Sequence, residues 1–346
     1  MPTTTASLPT VDLFAGAGGF STGLARCGFE PILAVESDAE ACETYLALHP
    51  DAELEPAPIE ELSFRDLRGC VALVAAGPPC QPFSTGGKRL ADDDPRDGFP
   101  ELLRVLDEIR PDACLIENVA GLAGPATSGY LRRLLDDLVD RGFTVTAAVL
   151  NAADYGVPQK RRRLFIAGLR GGREFIFPRR THGPGRRWPW RASGSVIGLE
   201  HFGEPNPSIV TFAKRPDVRP SPYDGHLFNG GGRAVDLAGP APTILATAGG
   251  NKTPFVDTLG VVPEYHARLV AGGRPRQGRV SGARRLTVEE CAALQTFPSG
   301  TRFAGARSTR YTHVGNAVPP DLAEKIGRGL AAELDAQQLE DEELVA

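Results

Sequence analysis

Residues 9–170 alternate short β-type runs with helical patterns, and this alternation limits the chain to few folds. Apolar residues recur at helical spacing over residues 99–109 and 131–139. A βαβ rhythm of this kind predicts an α/β fold, in which a Rossmann-like, doubly wound sheet carries helices on both faces. The runs that we expect to form strands are Val11–Phe14, Pro31–Glu36, Val71–Ala76, Ala113–Asn118, Phe143–Leu150 and Arg163–Gly168.

The composition of the chain changes in its middle. Residues 171–282 are rich in Gly, Pro and Arg, show little periodicity and contain Trp188 and Trp190, which we expect in the core of a small domain. Helical patterning resumes over residues 286–294 and 322–334. The last helix should pack on the first domain, because a two-helix segment cannot bury its own apolar face. The predicted segments are the first part of a main domain over 1–170, an inserted loop-rich domain over 171–282, and a C-terminal part over 283–346 that completes the main domain and ends in an acidic tail.

The net charge of −5 is unevenly distributed. Residues 171–282 contain 15 Lys and Arg against 8 Asp and Glu, so this segment is +7 and the remainder is −12. A segment that meets nucleic-acid phosphate would show this excess. A solvated, arginine-rich surface would show it equally.

Membrane proteins and disulfide-rich or zinc-binding proteins do not fit this sequence. No apolar run reaches the length of a transmembrane helix, and the first residues lack the pattern of a signal peptide, so we expect a soluble, cytoplasmic protein with no membrane partner. The six cysteines form no CxxC pair and have no histidine at ligand spacing. We therefore expect neither a disulfide framework nor a metal site.

The run Asp12-Leu-Phe-Ala-Gly-Ala-Gly-Gly-Phe20 predicts a strand that enters a glycine turn and opens a helix. Glycines let a ligand approach the backbone, and the helix amino end favours a negative group. Glu36 lies 20 residues after Gly16, the spacing at which an acid reaches ribose hydroxyls. Ser21 stands where GxGxxG has its third glycine, so a nucleoside cofactor without a pyrophosphate fits better than NAD. An NAD-type dehydrogenase and a purely structural turn stay open.

Cys80 lies in the run Gly77-Pro78-Pro79-Cys80-Gln81-Pro82-Phe83-Ser84, directly after a predicted strand. Prolines fix φ and cannot extend a strand ladder, so the thiol should be held on a rigid turn at the carboxyl end of that strand. A nucleophile would be presented there. An inert, buried cysteine is the alternative.

Two further motifs place polar groups at strand ends. Glu117-Asn118-Val119 ends an apolar run, and loss of hydration there favours a neutral carboxyl group that could carry a proton. A helix cap or an ion-pair partner is the alternative. Gln159-Lys160-Arg161-Arg162-Arg163 opens another run, and alternation places Arg161 and Arg163 on one face of the strand.

In this order along the chain, these runs resemble the motifs of the DNA cytosine-5 methyltransferase family of bacterial type. The resemblance continues in Arg284-Arg-Leu-Thr-Val-Glu-Glu-Cys-Ala-Ala-Leu-Gln-Thr-Phe-Pro298 and in Gly315-Asn316-Ala317-Val318-Pro319-Pro320, and it covers residues 10–170 and 284–330. It implies a methyltransferase sheet with a target-recognition domain over 171–282. It also implies a sequence-specific enzyme that methylates carbon 5 of a flipped-out cytosine in double-stranded DNA, with S-adenosyl-L-methionine as the methyl donor.

The resemblance implies a role for each motif in catalysis. Cys80 would add to carbon 6 of cytosine and make carbon 5 nucleophilic. Glu117 would protonate or hydrogen-bond ring nitrogen 3, and Arg163 would bind the exocyclic oxygen. Arg161 and Asn118 would support this pocket.

The resemblance also implies two sets of binding residues. Phe14 would stack on the adenine of the cofactor, Glu36 would hold its ribose, and the glycines would admit its methionine part. The cofactor residues are Phe14, Gly16, Gly18, Gly19, Glu36, Ser37, Ile59, Pro78, Asn316 and Ala317. The DNA-binding residues are Ser84, Arg96, Gln159 and Thr243.

Other functions compete with this interpretation. A tRNA cytosine-5 methyltransferase on the same fold is disfavoured, because the central segment lacks the Cys-Phe-Thr run of that subgroup. A non-catalytic DNA-binding regulator is disfavoured by the intact Cys80, Glu117 and Arg163. A nicotinamide oxidoreductase depends on the glycine turn alone. We expect a monomeric enzyme of restriction-modification or epigenetic regulation, cytoplasmic and associated with the nucleoid, with a cognate restriction endonuclease as a candidate partner.

Overall fold

A computed structural model describes residues 7–79, 97–229 and 232–345. The chain forms two compact units. The first consists of Met1–Asn151, Arg162–Arg180 and Val318–Ala346, and the second of Ala152–Arg161 and Thr181–Ala317. Residues 283–317 thus belong to the second unit, together with most of 171–282. The assignment of 171–282 to target recognition stays a prediction.

The first unit contains a seven-stranded sheet in which only one strand is reversed. The spatial order is β3-β2-β1-β4-β5-β7-β6, and β7 runs antiparallel to both of its neighbours while the other pairs are parallel. The strands are β1 (Leu8–Leu13), β2 (Phe29–Val35), β3 (Glu53–Glu55), β4 (Leu73–Ala76), β5 (Ala113–Val119), β6 (Thr144–Asn151) and β7 (Arg162–Leu169). The chain order reverses between β1 and β4, so the carboxyl ends of these strands border the crevice where ligands bind in such sheets. The predicted α/β, doubly wound fold is confirmed.

The described helices are divided between the two units. The helices α1 to α4 and α8 belong to the first unit, and α5 to α7 belong to the second. They are α1 (Gly19–Ala25), α2 (Ala39–Leu48), α3 (Phe99–Ile109), α4 (Ser128–Asp140), α5 (Val261–Val270), α6 (Val288–Leu294), α7 (Arg307–Asn316) and α8 (Pro320–Val345). Every residue of β4 is buried, and Leu102 and Leu106 of α3 are fully buried in the same core. This double-sided burial explains why β4 reads as a continuous apolar run.

The last helix packs against α1, as we expected. A Cβ atom at Gly23 would lie 2.2 Å from the main-chain oxygen of Pro320, so only glycine permits this approach. Arg26 pairs with Asp321 and Glu324 of α8 at 2.9 Å and 3.2 Å. None of the described helices is both long enough and apolar enough to cross a membrane.

The second unit has a core of its own. Strand β8 (Phe212–Asp217) pairs antiparallel with β9 (His226–Phe228), and β10 (Phe255–Asp257) pairs antiparallel with β11 (Ala283–Arg285). Aromatic side chains of these strands and of α5 form the centre of this core, with Phe228, Phe255 and Tyr265 buried. The expectation for Trp188 was wrong, since it is 49% exposed.

Candidate active site

The turn after β1 is held by the acid that follows β2. Glu36 Oε2 accepts a hydrogen bond from the Gly16 main-chain N–H at 2.8 Å, and Oε1 accepts from the N–H groups of Ser37 and Asp38, both at 2.8 Å. Gly16 and Gly18 have φ of 55° and 77°, a region that glycine occupies without strain. The structure therefore brings the predicted cofactor residues of β1, the turn and β2 together at one edge of the sheet.

The same edge includes the proline turn after β4. A Cβ atom at Gly98 would lie 3.0 Å from Phe14 Cζ and 3.2 Å from Pro78 Cβ, so these two predicted cofactor residues lie close together. Ile59 is buried, and the half-buried Phe14 packs against the same core cluster. Phe14 and Pro78, which follow β1 and β4, thus lie together at the carboxyl ends of these two strands.

The polar groups at the ends of β5 and β7 meet in space. Arg163 Nε lies 2.9 Å from Glu117 Oε1, and both side chains are largely buried. Asn118 donates from Nδ2 to the Pro78 main-chain oxygen at 3.1 Å. The pair Glu117–Arg163 is therefore fixed beside the turn that leads to Cys80. Cys80 itself, with Ser84 and Arg96, lies outside the described residues.

Arg161 occupies a different environment from Arg163. It precedes β7, lies in the second unit and is 1% exposed. Its guanidinium donates to the main-chain oxygens of Gly315 at 2.9 Å, Asn316 at 3.2 Å and Ile244 at 3.3 Å. The expectation that Arg161 and Arg163 share one strand face needs correction, because the strand begins only at Arg162. Arg161 instead holds the backbone that carries Asn316 and Ala317.

Gln159 does not face solvent in this structure. It is fully buried, and its amide pairs with Gln295 Oε1 at 2.8 Å and with the Ile244 N–H at 2.9 Å. This corrects the expectation of a DNA contact, since no side-chain atom is left for DNA to reach. Thr243 is half-buried, and its hydroxyl donates to the Lys160 main-chain oxygen at 2.6 Å.

A buried carboxyl group under the glycine turn was not predicted. Asp12 Oδ2 accepts from the Ser21 hydroxyl at 2.6 Å, and Ser21 accepts from the Tyr45 hydroxyl at 2.9 Å. Burial is the main reason that the pKa of Asp12 is raised to about 7, and the negative charge of Glu36 adds to this shift. The signal in the sequence was Ser21, which replaces the third glycine of GxGxxG and joins β1, α1 and α2 through its hydroxyl.

The substitution Asp12→Asn should remove a pH dependence of stability. Between about pH 4 and pH 7 folded Asp12 keeps a proton that the unfolded chain has lost, so the free energy of unfolding falls as pH rises and levels off above pH 7. The total fall is up to about 4 kcal/mol. Urea unfolding of both proteins at pH 5 to 8 measures the difference. The exposed Asp66→Asn is the control, and equal slopes for wild type and Asp12→Asn would contradict the prediction.

Residues 8–189 and 246–332 match the family model described as C-5 cytosine-specific DNA methylase. The chain is 35% identical over 338 residues to the Type II methyltransferase M1.HphI of Haemophilus parahaemolyticus, covering 94% of this chain and 87% of the relative. It is 31% identical over 329 residues to the Type II methyltransferase M.NgoMIV of Neisseria gonorrhoeae, covering 92% and 96%.

Solved structures share the fold. A Dnmt2 variant from Spodoptera frugiperda superposes with a TM-score of 0.68 at 21% identity, covering 94% of this chain and 99% of that chain. The Dnmt2 methyltransferase of S. pombe gives 0.67 at 16% identity, covering 96% and 99%. The family model spans the glycine turn, the Glu117 and Arg163 strands and the Gly315–Pro320 motif alike, and the chain belongs to the C-5 cytosine-specific DNA methylase family.

Proposed function

We propose that this DNA cytosine-5 methyltransferase methylates a cytosine flipped out of double-stranded DNA, within a fixed sequence context, through a covalent adduct of Cys80. The observation that carries the proposal is the Glu117–Arg163 pair at 2.9 Å, fixed beside the turn before Cys80. A pyrimidine ring under attack by a nucleophile needs a carboxyl group and a cation in this arrangement. The relatives named Type II methyltransferases support a place in restriction-modification.

The chemistry follows from three side chains. The Cys80 thiolate forms a bond to carbon 6, and the ring electrons move towards carbon 5 and nitrogen 3. Glu117 stabilises nitrogen 3 by a hydrogen bond or a proton, and Arg163 binds the exocyclic oxygen. Carbon 5 would then take up the methyl group of a bound sulfonium donor, whose sulfur would leave as a neutral thioether. A base removes the carbon 5 proton, and the carbon–sulfur bond breaks as the ring double bond re-forms.

S-adenosyl-L-methionine fits the turn at the edge of β1 and β2. A Cβ atom at Gly16 would meet no heavy atom within 4 Å, so the backbone there is open to a ligand. The bound cofactor supplies an electrophilic methyl group. We assign Phe14 to adenine stacking and Glu36, already fixed by three N–H groups, to the ribose. Gly18, Gly19, Ser37, Ile59, Pro78, Asn316 and Ala317 complete the proposed set.

Arg161 and Asn118 act in this proposal as positioning residues. Asn118 fixes Pro78 next to Cys80, and Arg161 fixes the Gly315 and Asn316 backbone. Residues 171–282 read the target sequence, and Ser84, Arg96 and Thr243 contact DNA. The enzyme acts as a monomer in the cytoplasm, associated with the nucleoid, and has a cognate restriction endonuclease as its partner.

Methyl transfer to defined substrates tests this function. The purified protein is incubated with S-adenosylmethionine labelled in the methyl group and with duplex DNA of random sequence or with tRNA, and modified cytosines are mapped. We expect label in DNA only, at carbon 5 and within one short sequence context. Label in tRNA alone, or methylation on an exocyclic nitrogen, would contradict the proposal.

A further inference from the structure

A short loop of the second unit, Thr181–Arg191, is anchored at both ends by one buried acid. The N–H groups of Thr181 and His182 donate to the Asp154 main-chain oxygen, both at 3.0 Å, and Trp190 Nε1 donates to Asp154 Oδ1 at 2.9 Å. The His182 ring covers Gly156, where a Cβ atom would lie 2.9 Å from His182 Cε1. The base of the loop is thus a fixed part of the second unit.

The loop is also closed internally. The Trp188 N–H donates to the Thr181 main-chain oxygen at 3.1 Å, and the Gly183 N–H donates to the Trp188 oxygen at 2.9 Å. Gly183 and Gly185 adopt positive φ, and prolines 184 and 189 restrict the backbone on either side of the tip. Ordering this tip on a ligand therefore costs little conformational entropy.

The tip presents two arginines and a tryptophan to solvent. Every residue from 184 to 189 is exposed, and Trp188 is 49% exposed. The Arg187 guanidinium lies over the Trp188 ring, 5.0 Å from its centroid. An exposed tryptophan beneath a cation is a flat, amphipathic surface that contributes nothing to the core.

The charged side chains in the sequence around the tip are positive. No acid lies between Glu174 and Glu200, a stretch that contains five arginines, at 179, 180, 186, 187 and 191. Within the described part of the chain, neither Arg186 nor Arg187 forms an ion pair with a carboxylate. Two adjacent guanidinium groups without a carboxylate partner suit phosphodiester oxygens, which arginine can bind through two parallel hydrogen bonds.

We propose that the loop Thr181–Arg191 docks on the phosphate backbone of duplex DNA, outside the target cytosine. Arg186 and Arg187 neutralise phosphates, and Trp188 packs on the adjoining sugar and base edges. The contact adds affinity that does not depend on sequence. This inference rests on the DNA substrate of the proposed function. A regular row of phosphates is the partner that matches a narrow, rigid tip with adjacent positive charges.

Salt dependence of DNA binding tests the arginines. The double substitution Arg186→Gln and Arg187→Gln should reduce the slope of log K against log salt by about 1.8, because each lost phosphate contact removes about 0.9. The KM for DNA should rise about 10-fold, and kcat should change far less. The control pair is Arg65→Gln and Arg110→Gln. Both control arginines are exposed and precede β4 and β5, at the amino ends of these strands. Their substitution removes the same amount of positive charge as the substitution of Arg186 and Arg187.

Fluorescence tests the position of the contact. Trp188 and Trp190 are the only tryptophans in the chain, so the indole emission of the protein comes from this loop. Duplex DNA should change this emission in the wild type, and Trp188→Phe should remove most of the change.

Different results would exclude the loop contact and the DNA methyltransferase activity. If the wild type methylates DNA but the arginine pair keeps the wild-type slope, or the control pair loses as much, the proposal is overturned while the function stands. Unchanged emission on DNA binding, or binding of the arginines to anionic vesicles instead of DNA, would also overturn it. If the wild type neither binds nor methylates DNA, the proposed function itself fails.

Discussion

Replacing Cys80 with alanine should abolish methyl transfer, with a loss of at least about 10⁴-fold in kcat. Without the thiolate, carbon 5 of cytosine remains a poor nucleophile, and no other described side chain of the site can add to carbon 6. DNA binding should persist, because it depends on phosphate and groove contacts elsewhere. Transfer of labelled methyl groups and DNA affinity, measured on the same preparation, separate the two effects.

A matched control lies at the other end of the same strand. Cys70 is an exposed, free cysteine before β4, whereas Cys80 follows β4. Cys70→Ala should keep the wild-type rate. A duplex with 5-fluorocytosine at the target should trap the wild type and Cys70→Ala as covalent adducts, because fluorine cannot leave as a cation. A trapped adduct with Cys80→Ala, or none with the wild type, would exclude Cys80 as the nucleophile.

Local sequence patterns predicted the strands of the first unit, because the runs and spacing of apolar residues there indicate which side chains are buried. The all-apolar run of β4 is buried, and so are Leu102 and Leu106 of α3, as their spacing predicts. Each predicted strand is present, with ends that differ by at most three residues. The short edge strand β3 and helices α2, α5 and α7 were missed, since polar and small residues interrupt their apolar pattern.

Contacts between residues that are far apart in the chain could not be predicted from local sequence patterns. The register between β5 and β7 places Val119 opposite Arg163, and this brings the arginine onto Glu117. Spacing along one strand cannot give that register. The same limit explains why the prediction for Arg161 was wrong. Its alternation with Arg163 along the sequence had suggested that both side chains lie on one strand face. Its partners are main-chain oxygens at residues 244, 315 and 316, far along the chain.

Exposure of the tryptophans could not be predicted from composition. A tryptophan in a small domain normally lies in the core. Trp190 is half-buried, and its indole N–H donates a hydrogen bond to the buried Asp154. Trp188 differs: its side chain is 49% exposed on a turn that its own main chain closes by hydrogen bonds to Thr181 and Gly183. The outcome depended on the hydrogen bonds of the loop, which composition does not specify.

Glu117→Gln should lower kcat by about 10²- to 10⁴-fold, the range that a general acid contributes. Glutamine keeps the shape of the side chain, but it has no acidic proton and no charge to pair with Arg163. The substitution should also slow the formation of the 5-fluorocytosine adduct, because the ring charge is no longer stabilised as sulfur adds. Single-turnover methylation and adduct formation measure the two steps.

A second arginine–glutamate pair of the same unit provides the control. Glu108 pairs with Arg104 at 2.9 Å on α3 and accepts from the Phe64 N–H at 2.8 Å. Glu108→Gln should reduce the thermal unfolding temperature and leave kcat within about 2-fold, because its contacts are structural. Equal losses of kcat in the Glu117 and Glu108 variants would mean that Glu117 acts only through stability.

The double substitution of Glu117→Gln with Arg163→Gln decides whether the two residues act as one unit. If Arg163 holds the exocyclic oxygen while Glu117 holds nitrogen 3 of the same ring, each single variant already misplaces the base. The kcat of the double variant should then be little lower than that of the less active single variant. Additive losses would show instead that the 2.9 Å pair is a structural contact and that the two groups serve the base independently.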